Sequence, residues 1–143
     1  MESLTEKSCM TGKCFVDTNI VGYLLSTDIA KHSKAKAILD NTPTISAQVL
    51  NEFVNICLKK ARMGLAEAHR LAETLISNTD VVAVELDTVK QAMKLAAQYQ
   101  YSHWDSLIIA AALQLDCSVL YSEDMQQNQL IENKLRIINP FLN

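Results

Sequence analysis

The chain has 143 residues, 49 % of them hydrophobic, and carries 13 Lys and Arg against 16 Asp and Glu for a net charge of −3. That length makes one domain with room for a single sizeable core, and three Gly and two Pro leave no linker, repeat or low-complexity segment. The negative balance argues against a nucleic-acid partner in general, although four acids gathered in one pocket would leave the rest of the chain at +1, given the 13 basic and 16 acidic residues.

Residues 1–13, MESLTEKSCMTGK, are polar and read as a loose N-terminal extension, with the domain running over 14–143. No stretch approaches the ~18 apolar residues of a membrane span, and no export signal is present. Cys9, Cys14, Cys57 and Cys117 form no C-x-x-C pair and lie near no histidine cluster, so neither zinc nor redox chemistry is signalled and a reducing, cytoplasmic compartment is expected. Cys14-Phe15-Val16 predicts a short buried strand, followed by Asp17-Thr18-Asn19, residue types that favour turns and helix N-caps. A helical pattern begins over Ile20–Leu25, resumes through Ile29–Asp40 and stops at Asn41-Thr42-Pro43. After a brief extended Thr44-Ile45, a helix is predicted from Ser46 to Met63, with Val49, Leu50, Phe53, Val54, Ile56 and Cys57 on one arc and Gly64 as its breaker. A second amphipathic helix over Leu65–Ser77 leads to the run Val81–Leu86, predicted as the clearest strand. Asp87 or Thr88 can cap the next helix, which reaches about Tyr99. Ser102 opens a helix through Leu115 that is apolar nearly all round and therefore buried, with Trp104 expected to pack into the core at its start. Ser118–Tyr121 and Arg136–Ile138 are further strands. Short apolar strands alternating with helices predict an α/β fold with a mainly parallel central sheet flanked by helices.

In such sheets ligands bind beyond the carboxyl ends of the strands, where Asp17 and Asp124 both fall. Alone, each is an ordinary turn or cap residue, and Glu52, at the margin of its helix's apolar arc, is an ordinary solvated flank. Asp105 fits a capping box with Ser102, yet it starts a helix so apolar that its N-terminus must be largely buried. Four carboxylates in one pocket would raise each other's pKa unless a cation were present, and Mg²⁺ or Mn²⁺ is the hard, oxygen-seeking ion for such a cluster. That ion activates water and neutralises charge on a phosphate under in-line attack.

The motifs FVDTNI, ISAQVLNEF at 45–53, WDSLIIAAA at 104–112, LYSEDM at 120–125 and INPF at 138–141 occur in the order and spacing of a known family. Together they resemble the PIN domain, specifically the VapC-like toxin ribonucleases of bacterial toxin–antitoxin pairs, from residue 14 to the C-terminus. The resemblance implies a metal-dependent endoribonuclease whose catalytic, metal-binding acids are Asp17, Glu52, Asp105 and Asp124. It further implies that Thr18, Asn19 and Ser122, with Ser46, order the site by hydrogen bonds. Mg²⁺ or Mn²⁺ would be the cofactor, RNA the substrate, a cognate antitoxin the partner, and a homodimer the assembly. Either carboxylate of Glu123-Asp124 could point inward; the family's acid follows the Ser by two, which selects Asp124. A phosphatase of the haloacid dehalogenase type would need a second Asp where Asn19 stands, and a receiver domain would need an acidic pair ahead of its phospho-acceptor and a late Lys. A PIN fold kept as an inert binding module would be expected to have lost at least one of the four acids. Lys59, Lys60, Arg62, His69 and Arg70 could contact RNA phosphates, or simply be solvated helix faces.

Overall fold

Cys14, Phe15 and Val16 form β1 (Cys14–Val16), and all three are buried, so this strand needs sheet on both edges and helices on both faces. The computed structural model describes residues 12–142 and supplies both; the predicted N-terminal extension lies, but for its last two residues, outside the described residues. From β1 the chain enters α1 (Thr18–Gly22), a 3₁₀ turn (Tyr23–Leu25) and α2 (Ile29–Leu39). Next come β2 (Thr44–Ser46), α3 (Ala47–Lys59), α4 (Leu65–Asn78), β3 (Asp80–Val82), α5 (Leu86–Tyr99), α6 (His103–Gln114), β4 (Val119–Tyr121), β5 (Leu130–Ile131) and β6 (Leu135–Ile138). The six strands lie in the order β3-β2-β1-β4-β6-β5. All neighbours are parallel except the β5–β6 hairpin. The predicted α/β class and mainly parallel sheet are therefore present. α5 packs along α6 and α4 along α3, and Ser106 to Leu113 of α6 are buried without interruption. No helix among the described residues is long and apolar enough to cross a membrane.

Several boundaries differ from the sequence expectation. The run Val81–Leu86 is a strand only to Val82. The Glu85 N–H donates to the Thr88 hydroxyl (3.1 Å), which in turn donates to Gln114 on α6 (2.8 Å), so Glu85 rather than Asp87 or Thr88 is the N-cap, and Leu86 starts α5 exposed to solvent. α3 ends at Lys59, short of Met63, because Arg62 takes a left-handed φ of 53° and the Met63 N–H turns back to the Cys57 carbonyl (3.0 Å). Gly64 is the N-cap of α4, not the breaker of α3. Trp104, expected in the core, is exposed. Cys57 and Cys117 are free and buried, with burial pushing their thiols up, that of Cys117 to about 11, so neither is a reactive thiolate. Cys14 is disulfide-bonded, which the reducing compartment expected from the cysteine spacing does not favour.

A candidate carboxylate site at the sheet switch point

The chain leaves β1 toward β2 and β3 on one side and returns as β4 and β6 on the other. β1 and β4 therefore flank the point where strand order reverses, and the crevice beyond their carboxyl ends is where such sheets bind ligands. Asp17 sits there, extending the ladder through its N–H to the Tyr121 carbonyl (2.9 Å) and acting as N-cap of α1. Its carboxylate, in a residue only 5 % exposed, accepts from the Thr18 N–H (2.7 Å), the Ser122 hydroxyl at the end of β4 (2.8 Å) and the Asn19 amide (3.3 Å). Burial nevertheless outweighs these donors: the Asp17 pKa is pushed up to about 6, with the charges of Asp105 and Glu52 adding to the effect.

Glu52, on α3, is held at both oxygens. The Thr18 hydroxyl donates to Oε2, and Gln48 Nε2, one turn earlier on the same helix, donates to Oε1 (2.9 Å). The same Gln48 amide donates to the Trp104 carbonyl at the start of α6 (3.1 Å), tying the helix that carries Glu52 to the helix that carries Asp105. Gln48 did not emerge from the sequence; its only signal was the spacing of four residues before Glu52. Ser46 does not touch the acids. It is fully buried and caps α3 by accepting from the Val49 N–H (3.4 Å), and so positions Glu52 through the helix.

Asp105 occupies the first turn of α6, its N–H donating to the capping hydroxyl of Ser102 (3.1 Å). Its pKa is raised by burial and then by the charges of Asp124 and Glu52, against a smaller lowering from Ser102. Asn19 bridges the remaining acid: its amide donates to Asp124 Oδ2 (3.0 Å) as well as to Asp17, while its carbonyl accepts from the Glu123 N–H (3.2 Å). Glu123 and Asp124 therefore face different partners. The Glu123 carboxylate accepts from Tyr23 and pairs with Lys31 (3.1 Å), whereas Asp124 turns to Asn19 beside Asp17.

Asp17 thus lies within electrostatic reach of Asp105 and Glu52, and Asp105 within reach of Asp124 and Glu52, with Thr18, Asn19 and Ser122 bonded among Asp17, Glu52 and Asp124. The ion pairs among the described residues are Lys31–Glu123 and Lys36–Asp40, and neither includes one of the four acids. A donor set of carboxylates without a neutralising cation fits a hard divalent ion. Held on Thr18, Gln48 and Asn19, the acids nonetheless stand apart: among the described residues no three His, Cys, Asp or Glu are close enough to hold one ion.

A parallel α/β sheet with its crevice at the switch point is a recurrent ligand-binding architecture, and comparison with known proteins narrows the class. The family model of the PIN domain matches residues 14–132, and the chain belongs to the PIN domain family. No curated protein matches it. Among solved structures it is similar to a toxin–antitoxin complex from Klebsiella pneumoniae (21 % identity, TM-score 0.67, covering 90 % of this chain and 98 % of that one). It is also similar to VapC20 of Mycobacterium tuberculosis, described as a sarcin–ricin loop cleaving toxin (22 %, 0.61, 78 % and 90 %). A third is VapBC2 of Rickettsia felis bound to a DNA fragment from its promoter (16 %, 0.64, 87 % and 97 %). At these identities the likeness is one of fold.

Proposed function

We propose that the chain is a metal-dependent endoribonuclease, the toxin of a toxin–antitoxin pair, acting in the cytoplasm. The observation that carries this reading is the buried Asp17 carboxylate, raised to about 6 beside two further acids with no cation among the described residues paired to them. Such an arrangement is costly unless it serves a ligand. In this reading Asp17 and Asp105 hold Mg²⁺ or Mn²⁺, and Glu52 and Asp124 complete the site and orient or deprotonate the attacking water. When bound, the metal supplies Lewis acidity at the phosphate and at the water. Thr18, Asn19, Ser122 and Gln48 hold the acids in place, and Ser46 and Ser102 cap the helices that present two of them. An open groove of ≈ 410 Å³ leads from Asn19 past Tyr23 and Ile56 to Lys60, which offers a phosphate contact for an RNA strand.

The toxin reading adds an antitoxin and a homodimer. The toxin–antitoxin complex among the similar structures supports the first, and so does a second groove of ≈ 330 Å³ whose apolar lining includes Leu24, Leu39, Phe53, Leu71 and Leu75. Exposed Leu65, Leu86 and Met93 offer apolar surface for a second copy. The competing reading, an inert PIN-fold binding module, draws on the separation of the acids.

Cleavage of a structured RNA with Mg²⁺ by the wild type, Asp124→Ala and Glu123→Ala tests the assignment. Asp124→Ala is expected to lose more than about 100-fold in rate, beyond what removal of a merely supporting group costs. Glu123→Ala is expected to keep activity within about tenfold and to lose about 0.2–1 kcal/mol of stability, as for a partly exposed ion pair. Equal losses in both variants would take the fourth acid away from Asp124, and a wild type inactive with every divalent ion would leave the inert module.

A further inference from the structure

We propose that the Trp104 indole is a stacking platform for one unpaired nucleobase of an RNA strand whose phosphate lies at the carboxylate site. This rests on the ribonuclease reading and names what that site selects. Trp104 is 64 % exposed at the start of a helix whose residues Ser106 to Leu113 are all buried. An indole left in water forgoes a large burial gain, which a stacked base would recover. Asp105 follows it directly, so their Cα atoms stand about 3.8 Å apart. The Trp104 carbonyl is gripped by the Gln48 amide that also holds Glu52 (3.1 and 2.9 Å). The backbone that carries the ring is thus tied to the residue that holds Glu52. The imidazole of His103 packs on it in a T-shaped contact (centroids 5.4 Å, planes at 73°), restricting the rotamers of the indole before any ligand arrives.

The charge balance gives the platform its purpose. Binding of nucleic acid usually draws on phosphate contacts with Lys and Arg, but this chain has a net charge of −3 and, among the described residues, none of its four site acids is in an ion pair. Stacking of a base on an aromatic face adds affinity that does not depend on offsetting the charge of the acids. Bases inside a duplex have both faces occupied by their neighbours, so the platform selects a loop or single strand.

Trp104 is the only tryptophan, so the intrinsic fluorescence of the full chain reports on it directly. A single-stranded oligoribonucleotide, the same strand in a duplex, and the strand with one abasic position are each mixed with the protein and Mg²⁺ in a stopped-flow instrument, so that binding is read before cleavage. Quenching is expected with the single strand, weakly or not at all with the duplex, and reduced by the abasic position that removes the stacked base. Trp104→Ala should raise KM for the single strand about 5- to 150-fold, equivalent to about 1–3 kcal/mol, with the loss falling on KM rather than kcat, and Trp104→Tyr should restore most of it. Equal quenching by duplex and single strand, or an unchanged KM in Trp104→Ala, overturns the platform while leaving the nuclease intact. So does a dimer that Trp104→Ala converts to monomer in sedimentation, which would make a second copy the occupant. Quenching that follows this pattern without any cleavage supports the platform and removes the nuclease reading.

Discussion

Asp17→Asn is expected to lower ribonuclease activity by at least about 10³-fold and, at pH 7 without metal, to make the protein more stable. On the proposed reading, the activity loss follows from removing a charged ligand from a site whose metal would be worth several kcal/mol to the transition state, at 1.36 kcal/mol per factor of ten. The stability gain follows from burial. Asp17 is raised from 3.8 to about 6, so keeping it charged in the folded state at pH 7 costs about 3 kcal/mol at most. Asn fills the same space and caps a helix as well as Asp does, which preserves the contact with the Thr18 N–H. The hydrogen bonds from Ser122 and Thr18 are stronger to a carboxylate than to an amide, so the net gain is about 1–2 kcal/mol, or a rise of about 3–8 °C in Tm. Thermal melts in EDTA alongside cleavage rates check both halves. A less stable variant that still cleaves would show that Asp17 is a structural turn residue and nothing more.

The metal-free wild type is expected to gain stability as pH falls from about 7 to 4, opposite to most proteins losing paired carboxylates. The native Asp17 pKa of about 6 lies above its ordinary 3.8, so between those values the folded state binds the proton and the unfolded state does not. The contribution is therefore complete below about pH 4 and is lost as pH rises through 6. Asp105, raised in the same direction, adds to it. On the proposed reading, Mg²⁺ is expected to reverse the trend: it would compete with protons for the same oxygens and stabilise the native state by about 2.7 kcal/mol at 100 times its Kd, most strongly above pH 6. The difference between wild type and Asp17→Asn, melted from pH 7.5 to 4.5 in EDTA and in Mg²⁺, isolates the site from the other carboxylates. A difference that does not vary with pH or with metal would contradict the clustering of the acids.

Much of this was legible in the sequence because the relevant forces are local or periodic. The apolar triplets at Cys14–Val16 and Val119–Tyr121, and an α6 without a polar face, required a sheet buried under helices. The spacing of the motifs led to four acids, of which, among the described residues, no three stand close enough to hold one ion. What escaped depended on contacts between distant segments. Nothing near Glu85 shows that Thr88, pinned by Gln114, would end β3 and start α5. The β5–β6 hairpin turns through Glu132 and Asn133, both at positive φ, without the glycine that would have announced it. The orientation of Glu123 is set by Tyr23 and Lys31, about a hundred residues earlier. Gln48 was missed because an amide contact across two helices cannot be read from either helix alone.

The most direct test of the nuclease reading is cleavage of a structured RNA with Mg²⁺, with Mn²⁺ and with EDTA, followed by analysis of the new ends. Attack by a metal-activated water on the phosphodiester needs no covalent intermediate and leaves the 2′-hydroxyl a bystander. The proposal predicts cleavage with either metal, none in EDTA, and products carrying 5′-phosphate and 3′-hydroxyl ends. Activity that persists in EDTA, or products ending in a 2′,3′-cyclic phosphate, would contradict it.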